Sequence, residues 1–457
     1  MIRPGTCIVC FGLAFIAGCT FIPEYVRPAA TIPAAYPRLE SENAPSPAAD
    51  LEWRSVFSDP RIVRLIELAL SHNLDLRTAI LNVEQARANC RIQRAGFYPT
   101  IDGSVAYSGQ RPSGLEPNEW TASIGTAAYE LDLFGRVRSL SRQALESYFA
   151  SEEGSRAAQV SLVASVATEY YTMRELLEQL EVARGTLASV EESYELNQNK
   201  YKAGESTELD LRTAEGQIHT AEVSILDYRR QTEQAYNDLC LLTGQALPAD
   251  LAHPSPLASD EGPREIPAGV PSDLIARRPD VLQAEHTLKA ANANIGVARA
   301  AFFPSLAITS SVGESSPQFS KLFGSSTAIW SFSPQLTVPL FTGGLNRANL
   351  DVAQLGVQID IAAYQKAIQT AFREVADALA GRRAYKEELA PQAALVAAQQ
   401  RRYDLARIRY RQGEDSYLNV LSAQQDLYSA ELNLASIRFN IAAAGISLYE
   451  ALGGGWK

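Results

Sequence analysis

Methionine, histidine and cysteine are all scarce in this chain of 457 residues, with Met 2, His 4 and Cys 5. Only Met1 and Met173 occur, so no methionine ladder is available to carry a soft ion such as copper(I). His72, His219, His253 and His286 show no paired spacing with one another or with cysteine, so no metal centre is expected. GxSxG, P-loop and dinucleotide motifs are absent, and Gly453, Gly454 and Gly455 lack the strand-to-helix context that holds phosphate. The expectation is a protein that is not an enzyme and takes no cofactor, and that draws energy for any transport from a partner. Basic residues are outnumbered 41 to 52 by acidic ones, for a net charge of -11, which argues against nucleic acid. No long apolar run follows the N-terminus and mean hydropathy is -0.12, which excludes a helical membrane protein. Wholesale disorder is excluded by 46% hydrophobic and 20% charged residues. A β-barrel survives every one of these exclusions, because its strands hide in such averages.

The N-terminus supplies an address. Arg3 precedes an apolar stretch from Cys7 to Ala17 that is too short to span a bilayer. It ends in Ile16-Ala17-Gly18-Cys19, small residues before a cysteine, as lipoprotein signal peptidase requires. Residues 1–18 therefore read as a signal peptide, and Cys19 as the site of diacylglycerol and N-acyl attachment. Thr20 follows where an Asp would favour retention in the inner membrane, so the outer membrane of a Gram-negative cell is expected. One acylated residue tethers a chain without inserting it. Residues 19–60 then read as a strap, extended by Pro23, Pro28, Pro33, Pro37, Pro45 and Pro47.

Two copies of one unit fill the rest, residues 61–247 and 271–457, joined by a linker at 248–270. Phe97-Tyr98-Pro99-Thr100 returns as Phe302-Phe303-Pro304-Ser305, and Leu133-Phe134 as Leu340-Phe341. Tyr201-Lys202-Ala203-Gly204 returns as Tyr410-Arg411-Gln412-Gly413, and Leu242-Thr243-Gly244 as Leu452-Gly453-Gly454. Each copy predicts a helix, two alternating segments about a turn, a very long helix, a glycine turn at Gly204 or Gly413, and a return helix over 206–243 or 415–452.

The alternating segments carry the membrane argument. Leu306, Ile308, Ser310 and Val312 alternate with Ala307, Thr309 and Ser311. Beyond a Ser/Gly-rich loop, Ala328, Trp330, Phe332, Pro334, Leu336, Val338 and Leu340 alternate with Ile329, Ser331, Ser333, Gln335 and Thr337. A period of two over roughly 10 residues is the length of a transmembrane strand. The first copy is weaker, with Ile101, Val105 and Tyr107 on one face and then Trp120 to Leu133. Trp120 and Trp330 are candidates for an aromatic girdle. Four strands cannot close a barrel, since about eight are needed and an open edge in lipid is not tolerated, so a spanning chain must oligomerise.

Between Gly135 and Gly204 no proline interrupts the helix, and between Gly343 and Gly413 only Pro391 does, so each long helix extends about 100 Å. Val163, Val166, Tyr170, Met173, Leu177 and Leu180 keep coiled-coil spacing, and after a one-residue slip Ala183, Leu187, Val190 and Tyr194 continue it. Each copy thus folds as an antiparallel hairpin pointing away from the strands. Cleavage leaves Cys90 and Cys240 besides the lipidated residue, roughly 35 Å apart along such helices, so two free, buried thiols are expected. A competing reading is a lipoprotein scaffold, a coiled-coil spacer without a pore. It has no use for the Trp-bearing hairpin.

Several motifs resemble the TolC-like outer-membrane factors of tripartite efflux pumps, in their lipoprotein branch. These are Pro271-Ser272-Asp273-Leu274-Ile275-Ala276-Arg277-Arg278-Pro279-Asp280, the run from Ala290 to Pro304, Tyr417 to Gln424, and the terminal Ala451 to Trp456. The resemblance spans essentially all of the mature chain. It implies an α+β membrane protein: a homotrimer that shares one 12-stranded outer-membrane β-barrel, each chain contributing four strands, above a periplasmic barrel of 12 coiled-coil α-helices. Strand count alone also permits a dimer with eight strands. Twelve helices at ~10 Å spacing leave a lumen near ~28 Å, against ~15 Å for eight. The resemblance further implies a periplasmic adaptor protein and an inner-membrane pump, of the RND type, as partners, with a passive duct opened by adaptor docking. Its cargo stays open among drugs, metal ions, signals and proteins.

In that family the helix tips close the tunnel at rest. The matching positions are Leu418, an apolar plug, with Arg409 and Tyr410 as hydrogen-bonding locks. Ser422 stands where the branch often has an aspartate, and Gln425 where it has an arginine, so a carboxylate ring is missing at that level. Asp210, Glu208 and Asp415 remain nearby to supply charge.

Overall fold

The computed structural model describes residues 20–29, 32–33, 52–109, 119–252, 254–257, 262–266, 277–324 and 327–455. The signal peptide, Cys19, most of the strap, the run 271–276 and Trp456 lie outside the described residues. The elements are α1 (Trp53–Val56), α2 (Pro60–His72), α3 (Leu74–Ala95), β1 (Asp102–Ser108), β2 (Glu119–Leu131), α4 (Arg136–Ala203), α5 (Glu208–Thr243), α6 (Pro279–Ala300), β3 (Ser305–Ser316), β4 (Ala328–Thr337), α7 (Leu345–Arg411) and α8 (Tyr417–Ala451). They fall into two compact units.

The first unit (Met1–Ala30, Leu81–Glu152 and Gln283–Lys366) holds one antiparallel sheet in the order β1-β2-β3-β4. Its register explains the alternation. Val105, Tyr107, Trp120, Ala122, Ile124, Val312, Trp330, Phe332, Ile308 and Leu336 share one face, because Val312 pairs with both Ile124 and Trp330, and Leu306 with both Leu131 and Leu336. The opposite face carries small polar residues, with Ser104 hydrogen-bonded to Ser123 at 3.1 Å and Ser311 to Ser331 at 2.7 Å. Nothing among the described residues covers the apolar face: Trp330 is 80% exposed and Val312 65%. The outer edges of β1 and β4 have no partner strand among the described residues.

One detail differs from the expectation and two more refine it. Strand β4 stops at Thr337, short of Val338 and Leu340, because Pro339 has no N–H to extend the ladder. A bulge between Thr126 and Tyr129 shifts the register of β2, so that Tyr129 and Leu131 continue the apolar face of the even residues before it. Its Ala128 takes a left-handed φ of 51°, held by its N–H donating to Thr309 Oγ1 at 3.1 Å. The two tryptophans, candidates for a girdle, sit on different rungs. Trp120 sits at the end of its strand against Tyr107 and Phe319, whereas Trp330 pairs four residues further back along β3.

The second unit (Thr31–Ile80, Glu153–Leu282 and Ala367–Lys457) is helical. The seam of α4 buries Val163, Val166, Tyr170, Met173, Leu180, Ala183 and Val190 as expected. The expectation of Leu177 is corrected: Leu176 is buried and Leu177 only half-buried, so the slip lies between Met173 and Leu176, where two three-residue steps adjoin. Helix α7 runs through Pro391. The lower packing is pinned by Arg174, 1% exposed, which donates to the carbonyls of Ser255 at 3.0 Å and Pro256 at 3.1 Å and lies 3.8 Å from Asp59. Asp59 itself caps α2 through Arg61 N–H at 2.8 Å and accepts from Tyr170 at 2.7 Å. Cys90 and Cys240 are both free, but only Cys90 is buried. Cys240 is half-covered, because it follows the buried Leu239 and precedes the exposed Leu241 on α5.

Candidate functional site: the two helix tips

Both tips are closed by the same backbone device. Gly204 has φ 76° and Gly413 φ 79°, and the residue after each donates to the carbonyl five residues back, Glu205 N–H to Lys200 C=O at 2.8 Å and Glu414 N–H to Arg409 C=O at 3.0 Å. This is the Schellman closure, which needs a left-handed residue that costs glycine nothing.

The return helices are capped differently. Thr207 caps α5 in a capping box, its Oγ1 accepting from Asp210 N–H at 3.2 Å while the Asp210 carboxylate accepts from Thr207 N–H at 3.3 Å. Thr207 and Ser206 hydroxyls donate to the same carboxylate at 2.7 and 3.4 Å. Asp210 is therefore committed to its own turn. At the second tip Asp415 accepts from Asn419 and from Ser416 N–H, and lies 3.5 Å from Arg409. These contacts, Asn419 foremost, hold its carboxyl below the usual range.

Tyr410 is the buried centre of the second tip. Its hydroxyl donates to Asn197 Oδ1 at 2.5 Å, its carbonyl accepts from Lys200 at 2.8 Å, and its ring packs 5.6 Å from Tyr417. Burial pushes the Tyr417 hydroxyl up to about 12 and raises that of Tyr410. Tyr403, Val420, Ala423, Leu427 and Ala214 complete this cluster. Leu418 takes no part in it and is 69% exposed, matched at the first tip by Leu209 at 75%. Ser422 accepts from Arg402 at 3.3 Å, and Arg402 also pairs with Asp426.

The geometry thus joins Arg409 to Asp415, and Tyr410 to α4, while Asp210 and Leu418 stand apart from those pairs. Sequence reasoning missed Asn197, Lys200, Asp426 and Glu192, the last of which pairs with both Arg407 and Arg411. Asn197 was findable, being seven residues beyond Val190 on the seam. Among the described residues no group of His, Cys, Asp and Glu could hold a metal, and no helix is long and apolar enough to cross a membrane.

A model of the outer membrane efflux protein family matches residues 65–245 and 270–454. The chain belongs to that family. It is 43% identical over 456 residues to the probable efflux pump outer membrane protein TtgC of Pseudomonas putida, covering 97% of this chain and 94% of the relative. It is 39% identical over 452 residues to outer membrane protein OprJ of Pseudomonas aeruginosa, covering 96% and 94%. Among solved structures it is similar to the open state of the MtrE outer membrane channel of Neisseria gonorrhoeae, with TM-score 0.87, 39% identity and coverage of 96% and 99%. It is also similar to CusC, with TM-score 0.82, 36% identity and coverage of 96% and 100%. An outer membrane efflux protein is a transport conduit in the outer membrane and not an enzyme.

Proposed function

We propose that this efflux protein works as a homotrimer, each chain giving four strands to a 12-stranded barrel and four helices to a periplasmic tunnel. The observation that supports it is the sheet, apolar on one face, small and polar on the other, with two unpartnered edges. In lipid an open edge leaves backbone N–H and C=O groups unsatisfied, at several kcal/mol each. Because β1 and β4 run in opposite directions, β4 of one copy pairs antiparallel with β1 of the next, and three repeats close the ring. A periplasmic adaptor would dock on the tips and open them to an inner-membrane pump of the RND type. On this reading the chain is duplicated over 61–247 and 271–457, and takes no cofactor beyond the acyl groups on Cys19. A scaffold without a pore would leave the apolar sheet face without purpose.

At rest Leu418 of three copies would meet on the axis as an apolar constriction that dewets. Arg409 and Tyr410 would act indirectly, by fixing the turn and the hairpin that carry it. Leu418→Ser removes three contacts of about 1 kcal/mol each, which raises the open fraction roughly 100-fold. The expected result is entry of bulky antibiotics that the intact outer membrane excludes, in cells without adaptor. Unchanged antibiotic entry counts against Leu418 as the gate.

A further inference from the structure

Residues 20–29 form a docked strand of chain, matched in register to one stripe of α6. Glu285, Lys289, Asn292, Gly296 and Arg299 recur at alternating steps of four and three, a single helical face, and Phe303 keeps the spacing in the turn just past the end of α6. The strap lies along it antiparallel. Phe21 C=O accepts from Arg299 at 3.2 Å, and Pro23 C=O from Asn292 at 2.8 Å. Ile22 fills the space above Gly296, where a Cβ would come within 2.7 Å of it. Arg27 donates twice to Glu285, at 3.1 and 2.6 Å, and Tyr25 donates to the same carboxylate at 3.2 Å. Glu285 is 2% exposed, so these donors, with Lys289 at 3.1 Å, are what satisfy it. The lengths agree: six extended residues from Phe21 to Arg27 span ~20 Å, and fourteen helical residues from Glu285 to Arg299 span ~21 Å.

The far end of the strap reads the sheet. Phe21 stacks on Phe303 at 4.5 Å and lies 6.5 Å from Phe134, which itself stacks on Phe303 at 5.0 Å. Phe134 follows β2 and Phe303 precedes β3, whose last rung is Leu131 with Leu306. The slot for Phe21 exists only when β2 and β3 have paired to that rung.

We propose that the strap is an assembly latch, docking on α6 only once the β2–β3 ladder is complete, and so coupling the acyl anchor to a finished sheet. The coupling to an anchor rests on lipidation of Cys19; the latch itself does not.

The experiment is chymotrypsin cleavage of the full chain in outer-membrane fractions, following the Tyr25–Val26 bond by mass, with the acyl state of Cys19 read from the same N-terminal peptide. Arg27→Ala removes two charge-assisted hydrogen bonds and is expected to speed that cleavage at least about tenfold. Gly313→Val, which touches no strap residue but blocks the ladder, is expected to speed it comparably. Glu285→Gln acts from the helix side and is expected to match Arg27→Ala. A strap equally protected in the Gly313→Val chain overturns the coupling to the sheet, and an unchanged rate in Arg27→Ala overturns the latch. An unacylated Cys19 removes the lipid reading alone, and the cleavage rates still decide the latch.

Discussion

Gly313→Val is expected to abolish the assembled oligomer while leaving the helices folded. Gly313 lies mid-strand in β3, paired with Ser123 on one side and Ile329 on the other. A Cβ there would overlap the carbonyl oxygen of Ala122 and come within 2.6 Å of Ser123 Cα. Those are backbone atoms of the paired strand, which cannot yield without opening the ladder. Two rungs away, a Cβ on Gly125 would overlap the Ser310 carbonyl and reach 2.8 Å from Ser311 Cα. Strands β2 and β3 therefore approach more closely than side chains allow at these two places. Overpacking of this kind costs about 3 kcal/mol or more, roughly 100-fold against pairing. Circular dichroism should keep its helical signal while the detergent-resistant oligomer band disappears. Gly103→Ala is the control, since a Cβ there meets nothing within 4 Å among the described residues. An oligomer of normal yield in Gly313→Val contradicts the register.

The second large effect is expected at Arg174. Its guanidinium lies 5.7 Å from the Tyr170 ring centroid and 6.0 Å from that of Tyr171, while donating to two carbonyls of the linker. Arg174→Ala strands those carbonyls and leaves Asp59 with the hydroxyl of Tyr170 and one backbone N–H. Loss of charged hydrogen bonds at a buried site costs about 3–5 kcal/mol, a large part of the whole stability of a domain. The measurement is thermal unfolding together with proteolysis of the segment around Ser255, both expected to shift strongly. Arg174→Lys should recover only part, because an ammonium cannot reach both carbonyls in a fork. An unchanged Tm in Arg174→Ala sinks this assignment.

Much of the fold was legible because the physics at those places is local. Strands β3 and β4 announce themselves through alternation, since successive residues fall on opposite faces of the sheet, apolar on one and small and polar on the other. Gly204 and Gly413 mark the tips because the Schellman closure demands a left-handed residue. The misplacement of Leu177 shows the limit: a heptad slip is visible, but which residue absorbs it depends on the facing helix. The site was less legible for the same reason. That Tyr410 is bound by Asn197, and that Asp210 is spent on its own cap, are settled by partners far apart in sequence or by competing local bonds. The stripe from Glu285 to Arg299 can be read as a helix face, but nothing in it names the strap as its occupant.

The central proposal is a barrel shared between chains, and the native mass of the detergent-extracted protein, corrected for bound detergent, tests it most directly. A mass of three chains is the expected result. A monomer that stays soluble without detergent once the lipid is removed would mean that the four strands never enter a membrane, and the duct would be contradicted.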